Sequence, residues 1–413
     1  MLEDKMNHTE EIPNQNQVKR SVVTASLFKH LRAISCLGGI YRSANPGEKM
    51  TRWDILKLVY VICFEIVLLT NIVFYIFATY NYAMDLRPIT RLLSFFFVFL
   101  ICLYLSFVYS TCLSKSFQIL YVHCCKYEER YGFSDGFKKW VKKLRAIVVV
   151  VSLSIALSTL VKYLLTGVYP NVMNDTFPSS TFIEPGRSVG LSITFLGYMF
   201  MEMHWNGNYI IVNILSMLLW QELNRVQTQF KELAKSYRED TESRFNTLVI
   251  HFDVITEVLE DISNYVQHSI FTTVFLTLPV TCAIIYSILS NQVTSEELMV
   301  YSAGCVWALV CVGFGLFIDA LVNLKAHGTL QYVWGLDKER FSGKGLQKVN
   351  LFVSRLTGDS IGYNIHGLFT ITMPTLLGIV GTLVTYIIVV VQFKPSGATC
   401  LCNCFRNVTG SDM

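Results

Sequence analysis

Charge is the scarcest commodity in this sequence. Asp, Glu, Lys and Arg make up 15% of its 413 residues, against roughly 25% in an ordinary soluble domain. The net charge of +4 is small and dispersed, so there is no basic footprint for nucleic acid. Nucleotide and zinc signatures are missing too. Gly343-Lys344-Gly345 is too short for a phosphate-binding loop and lacks a strand–helix context. No His-Glu-x-x-His run occurs, and the contiguous His123-Cys124-Cys125 cannot easily aim three neighbouring side chains at one ion. The sequence therefore leads us to expect no enzyme, no cofactor and no metal. It has no internal repeat or low-complexity linker. The first fifty residues lack a signal-peptide core and cleavage site, so targeting is expected to fall to the first membrane helix.

Cysteine is present, twelve times, but not as a secreted disulfide framework. Cys63, Cys102, Cys282, Cys305 and Cys311 sit inside apolar runs, where a thiol behaves as a small hydrophobe. Cys400, Cys402 and Cys404 receive no role. They suit a disulfide if the tail is extracellular and lipidation if it is inside.

What is abundant is hydrophobic surface, 52% of residues. Roughly 20 mainly apolar residues cross the hydrocarbon as a helix. Seven stretches qualify: Ile55–Tyr80, Leu92–Leu113, Ala146–Leu165, Leu191–Leu219, Ser269–Leu289, Leu298–Val322 and Gly367–Phe393. The expected fold is all-α, a polytopic membrane protein of seven transmembrane helices. Residues 55–393 form one membrane domain, preceded by a segment 1–54 and followed by a tail 394–413.

Orientation follows from Lys and Arg, which are retained in the cytoplasm. With the N-terminus inside, segments 1–54, 114–145, 220–268 and 323–366 carry 8, 8, 5 and 6 of them, 27 of the 34. The opposite side carries 5, and Lys57 and Lys162 lie near helix ends, where they can snorkel. The sequons at Asn174 and Asn407 fall outside as glycosylation candidates, and Asn7 falls inside. The C-terminus is then extracellular. A G-protein-coupled receptor, also seven-helical, has the opposite orientation. Glu129-Arg130-Tyr131 imitates a triplet of such receptors, but it follows the second span rather than ending the third. It reads as a chance match in a solvated loop.

The seventh span ends Thr385-Tyr386-Ile387-Ile388-Val389-Val390-Val391-Gln392-Phe393. This resembles the signature of the insect gustatory receptor family: Thr-Tyr, five hydrophobic residues, Gln-Phe. Gly367-Leu368-Phe369-Thr370-Ile371 looks like that family's entry into the last helix, and Thr372 stands where many members have Asp or Asn. The resemblance implies a fold shared with insect odorant receptors, a tetrameric, ligand-gated cation channel, and a plasma-membrane location in sensory neurons. Four copies of the last helix would line the pore, with Gln392 at the constriction and Phe393 beside it. Thr385 and Tyr386 would help pack that helix. Segments 220–268 and 323–366 would form a cytoplasmic anchor, and a small-molecule tastant would bind within each subunit's outer half. The partners implied are that tastant, membrane lipid, and further copies or other gustatory receptors in a homo- or hetero-tetramer, with no nucleic acid. The sweet-receptor branch usually has Glu after Thr-Tyr, where this chain has Ile387, which favours bitter or other non-sugar tastants.

The residues speak independently as well. Gly378, Gly381, Thr382, Thr385, Val389 and Gln392 share one helical face. Small and hydroxyl residues let membrane helices approach closely, and a ring of glutamines can meet hydrated ions beside apolar gates. Ordinary helix packing with one interfacial amide explains the same stripe. Pro374 is expected to kink the helix. Glu65, Glu202 and Asp319 lie within spans, where charge is costly and faces the bundle interior or a wet cavity. Asp319, near its helix end, reads as interfacial. Glu202 shares a face with Tyr198, Trp205 and Tyr209. A carboxylate among aromatics suits an amine or polyhydroxyl ligand, and equally a satisfied carboxylate in a packed core. Tyr286 and Trp307 could face the same cavity, while His204 reads as a packing residue. Leu223, Val226, Phe230, Leu233, Phe245, Leu248, Phe252, Ile255 and Leu259 recur every three or four residues, which predicts amphipathic helices continuing the fourth and fifth spans.

Overall fold

The computed structural model describes residues 22–37, 52–81, 100–109, 114–144, 187–236, 240–289, 295–358 and 360–392, and isolated helical positions at 146, 149, 153 and 157. Most of the expected span over 146–165 and much of that over 92–113 lie outside these residues. In chain order the elements are α1 (Val22–Leu37), α2 (Arg52–Asn81), α3 (Ser114–Tyr131), α4 (Arg187–Lys235), α5 (Thr241–Thr272), α6 (Leu278–Leu289), α7 (Ser295–Gly328), α8 (Leu330–Trp334) and α9 (Gly343–Gly358). A two-stranded hairpin, β1 (Asn364–Ile365) and β2 (Phe369–Thr370), and then α10 (Met373–Gln392) complete it.

Helix α2 has the pattern a lipid solvent imposes. Its window Arg52–Val73 has a mean hydropathy of 2.1, yet only 28% of it is buried. Val61, Phe64, Leu68 and Ile72 face inward, while Ile55, Val59, Ile62, Ile66, Leu69 and Val73 face out. An apolar helix exposing this much apolar surface needs hydrocarbon around it. Inside, Asn71 donates its side-chain amide to Val67 O at 2.8 Å and to Ile193 O of α4 at 3.3 Å. Gly197 permits this crossing: a Cβ there would stand 2.1 Å from Asn71 Nδ2.

Helix α4 is one continuous rod of 49 residues, about 74 Å at 1.5 Å per residue, more than twice the thickness of hydrocarbon. Its polar continuation packs against α5 and α9 as the periodicity predicts. Phe230, Phe245 and Phe252 are fully buried. Their rings meet Phe352 of α9 at 5.6, 6.0 and 5.3 Å between centroids. The core here is aromatic and interlocked, as in a water-soluble domain.

One element was not foreseen, and several expectations need correction. The N-terminal segment contains a helix, α1, whose Leu27, Phe28, Leu31 and Ile34 are buried. Glu128 of α3 holds its start, accepting hydrogen bonds from the amides of Val23 (3.0 Å) and Thr24 (2.8 Å), which is favourable placement of an anion at a helix N-terminus. Glu129-Arg130-Tyr131 is the last turn of α3 rather than a solvated loop, and Tyr131 stacks on His251 at 4.0 Å. Residues 367–370 complete the hairpin turn and form the second strand, with Gly367 at φ +73°, so α10 starts later than Gly367. Pro374 occupies the first turn of α10, where no amide is required, so it starts the helix instead of kinking it. Proline acts elsewhere. A π-helical turn, Thr273–Thr277, interrupts the passage from α5 to α6, and Pro279 just beyond it cannot donate to a carbonyl one turn back.

Candidate functional site

Two regions bear on function: the middle of α4 with its neighbours, and α10.

On α4, Glu202 is partly buried and takes hydrogen bonds from its own helix. The Asn206 amide donates to Glu202 O at 2.8 Å and to Glu202 Oε2 at 3.3 Å. Trp205 and Tyr209 pack against the core, their rings 6.0 Å apart. His204 is buried with Nε2 2.9 Å from Asn208 Nδ2 and its ring 6.1 Å from Phe64, as its reading as a packing residue expects. The backbones at Tyr198, Tyr286 and Trp307 are helical, but their side chains lie outside the description. Asn174 and Asn407 lie wholly outside it. Glu65, a carboxylate of α2, accepts from Ser106 Oγ at 3.1 Å, tying α2 to helical residues 100–109.

Further along α4 a small cavity opens between α4, α5 and α7. It is lined by Tyr209, Val212, Ser269, Ile270, Thr273, Val312, Gly315, Leu316 and Asp319. Asp319 is not interfacial: it is 1% exposed and accepts a hydrogen bond from Ser216 Oγ at 2.6 Å. Ser216 lies 2.8 Å from the Tyr363 hydroxyl. Burial, and then the Asp319 charge, push the Tyr363 phenol well above its ordinary pKa, so it remains a donor. Sequence reasoning missed this chain because Ser216, Asp319 and Tyr363 are more than a hundred, or more than forty, positions apart.

Helix α10 has two sides. Met373, Leu376 and Ile379 pack against the core, and α10 touches α6 and α7. Leu383 and Ile387 continue that half-buried line. Gly378, Gly381, Thr382, Thr385, Tyr386, Val389 and Gln392 are all exposed. Thr382 and Thr385 donate their hydroxyls to Gly378 O and Gly381 O, each at 2.9 Å, which satisfies them within their own helix. Phe393 lies outside the described residues. The helix start is capped: Thr375 N donates to Thr372 Oγ1 at 3.2 Å, and Leu376 N to Thr372 O at 2.9 Å. Thr, Asp and Asn share this capping chemistry. Thr372 can thus cap α10 as an Asp or Asn would.

Below the bundle, Tyr127 donates to Glu222 Oε2 at 2.8 Å, and its hydroxyl lies 3.0 Å from His251 Nε2. Burial, with the nearby Arg225 guanidinium, lowers the His251 pKa to about 4. Burial beside Glu222 raises Tyr127. The network is neutral at the imidazole and structural in character.

A family model described as 7tm Chemosensory receptor matches residues 27–397. The insect olfactory receptor OR5 from Machilis hrabei in complex with eugenol has a similar fold: TM-score 0.66 at 16% identity, covering 89% of this chain and 98% of that one. A second structure of the same receptor gives 0.64 at 15% identity, with the same coverage. No curated protein matches the chain by sequence. The structural likeness at this identity concerns the fold, and the family match concerns membership. With the match running through nearly the whole chain, this protein belongs to the 7tm chemosensory receptor family and is a mostly helical, polytopic membrane protein.

Proposed function

We propose that the chain is a gustatory receptor that works as a ligand-gated, non-selective cation channel for a small-molecule tastant. The observation that carries this reading is the exposed face of α10. An apolar helix presents Gly378, Gly381, Thr382, Thr385, Val389 and Gln392 away from its own bundle. Neither lipid nor water is a natural neighbour for a stripe of two glycines, two threonines, a valine and a glutamine. Close approach of further copies and a hydrated lumen accommodate it. In a tetramer, the four Gln392 amides would form the constriction, flanked by Val389 and Phe393, and Tyr386 would pack between neighbouring helices. The N-terminus would be cytoplasmic, with segments 220–268 and 323–366 as the anchor between subunits.

The ligand would sit higher, near Tyr198, Glu202, Trp205, Tyr286 and Trp307. The similar olfactory receptor was solved with eugenol, a small phenol, and an aromatic-rich region suits aromatic or alkaloid-like bitter compounds more than sugars. Replacing Gln392 tests the channel reading. Gln392→Ala in a receptor that reaches the surface is expected to change relative cation permeability or unitary conductance. Unchanged permeation would remove Gln392 from the pore.

A further inference from the structure

Between α3 and the third apolar stretch the chain carries its densest positive charge. Lys138, Lys139, Lys142, Lys143 and Arg145 crowd together there. Asp135 precedes them, and no acid follows until Asp175. Residues 135–144 are helical. Phe137, Val141 and Leu144 are buried, and the Phe137 ring meets Phe133 at 5.1 Å and Trp140 at 5.9 Å. These contacts fix the rotation of the helix, and Lys139, Lys142 and Lys143 are left exposed on its other side. Spacings of three and four bring their side chains together. Lys138 reaches Asp135 at 3.1 Å, a solvent-exposed pair worth little. No acid partners the other three among the described residues. The protein thus gathers like charges at a spacing where they repel and offers them no counter-charge.

A second observation says what lies beside them. Helical positions 146, 149, 153 and 157 stand 4, 7, 11 and 15 places after Lys142, the repeat of a single helical face. All four are exposed, with Val149 at 49%, Leu153 at 64% and Leu157 at 62%. In a membrane protein, apolar side chains this exposed meet lipid. The lysines therefore share the lipid-facing side of the bundle. Seven residues separate Lys142 from Val149, about 10 Å of helix, so the lysine stands at the edge of the hydrocarbon, where headgroups lie. Lysine binds phosphate as a point charge, and a phosphomonoester carries about −1.5 to −2 at neutral pH. Three uncompensated ammonium groups match a headgroup with two such groups better than a singly charged lipid. A soluble polyanion fits less well, because the same face enters the bilayer within two turns.

We propose that Lys139, Lys142 and Lys143 bind the headgroup of a phosphoinositide lipid bearing two phosphomonoesters, at the surface where this helix enters the bilayer. With a cytoplasmic N-terminus that surface is the inner leaflet, where anionic lipids are concentrated. The choice of leaflet rests on the orientation proposed above, whereas the binding does not.

Purified full-length protein in uncharged detergent, titrated with a fluorescent short-chain phosphatidylinositol 4,5-bisphosphate and followed by anisotropy, tests the site. Binding is expected to saturate, to weaken with added salt, and to be about tenfold or more tighter than that of the matching phosphatidylserine. Lys142→Gln should weaken it about fivefold, and the triple change Lys139→Gln, Lys142→Gln, Lys143→Gln about a hundredfold. Replacing three exposed lysines elsewhere, Lys231→Gln, Lys235→Gln and Lys344→Gln, removes the same charge and should leave binding unchanged. If the triple variant does not accumulate, the single changes at 139, 142 and 143 decide. Binding unaltered by these changes, weakened equally by the distant ones, or no tighter than to phosphatidylserine would overturn the proposal. Neither orientation nor conduction enters this measurement, so failure of the channel reading and failure of the lipid site give different results.

Discussion

The upper and lower parts of the same helices are built by different rules. Around Phe352, side chains from α4, α5 and α9 interlock with little exposed, as in a domain that folds in water. Around α2, the apolar residues point outward, and the interior holds Asn71, His204, Asn206 and Asn208 with their hydrogen bonds. The lower part has the hydrophobic effect to drive its packing. The upper part does not, because lipid is as apolar as leucine, so it relies on close approach and on satisfied polar groups. A single helix, α4, serves under both rules without a break, which makes it the mechanical link between them.

That contrast can be tested by substitution. Phe352→Ala should be the most damaging change, since it removes the ring on which Phe230, Phe245 and Phe252 converge. A loss of about 3–5 kcal/mol is expected, read as poor surface delivery and a lowered unfolding midpoint. Next comes acid. His251 titrates near 4 in the fold and near 6.5 unfolded. Between these values the unfolded chain binds more protons, so stability falls as pH drops from about 6.5 to 4, by up to about 3 kcal/mol. Unfolding midpoints of the parent and His251→Gln across that window check it: the variant should lose this part of the acid sensitivity.

In the upper part, Gly197→Ala should cost about 1–3 kcal/mol, because the new Cβ meets Asn71 Cγ at 2.6 Å. The cost should be largely relieved in the double variant Gly197→Ala with Asn71→Ala; additive losses would show that close approach is not the cause. The smallest effect is expected at the α10 cap. Thr372→Ala should lose about 1 kcal/mol, and Thr372→Asn almost nothing. Equal losses for both would contradict the capping role.

Much of the architecture was legible in the sequence. The low charge and the apolar runs required a membrane, and the spacing of Phe230, Phe245 and Phe252 required helices that continue past it. Glu65 and Glu202 were expected to turn inward, and both are partly buried with hydrogen-bond partners. What could not be read was anything that depended on distant residues meeting. Helix α1 was not placed within segment 1–54, because its start is completed by Glu128, over a hundred positions away. Asp319 looked interfacial because position along a helix gives depth but not the face to which a side chain turns.

The sequence by itself determined the number and kind of apolar segments, the charge asymmetry across them, and the stripe of small and polar residues on the last helix. Those properties depend on composition and period, which belong to the chain before it folds. The tertiary structure alone decided which carboxylate is sealed from solvent, that Ser216 and Tyr363 meet at Asp319, and that a hairpin and not a longer helix leads into α10. Each of these depends on how α4, α5 and α7 cross, and crossing is set by side-chain contacts that no local pattern contains.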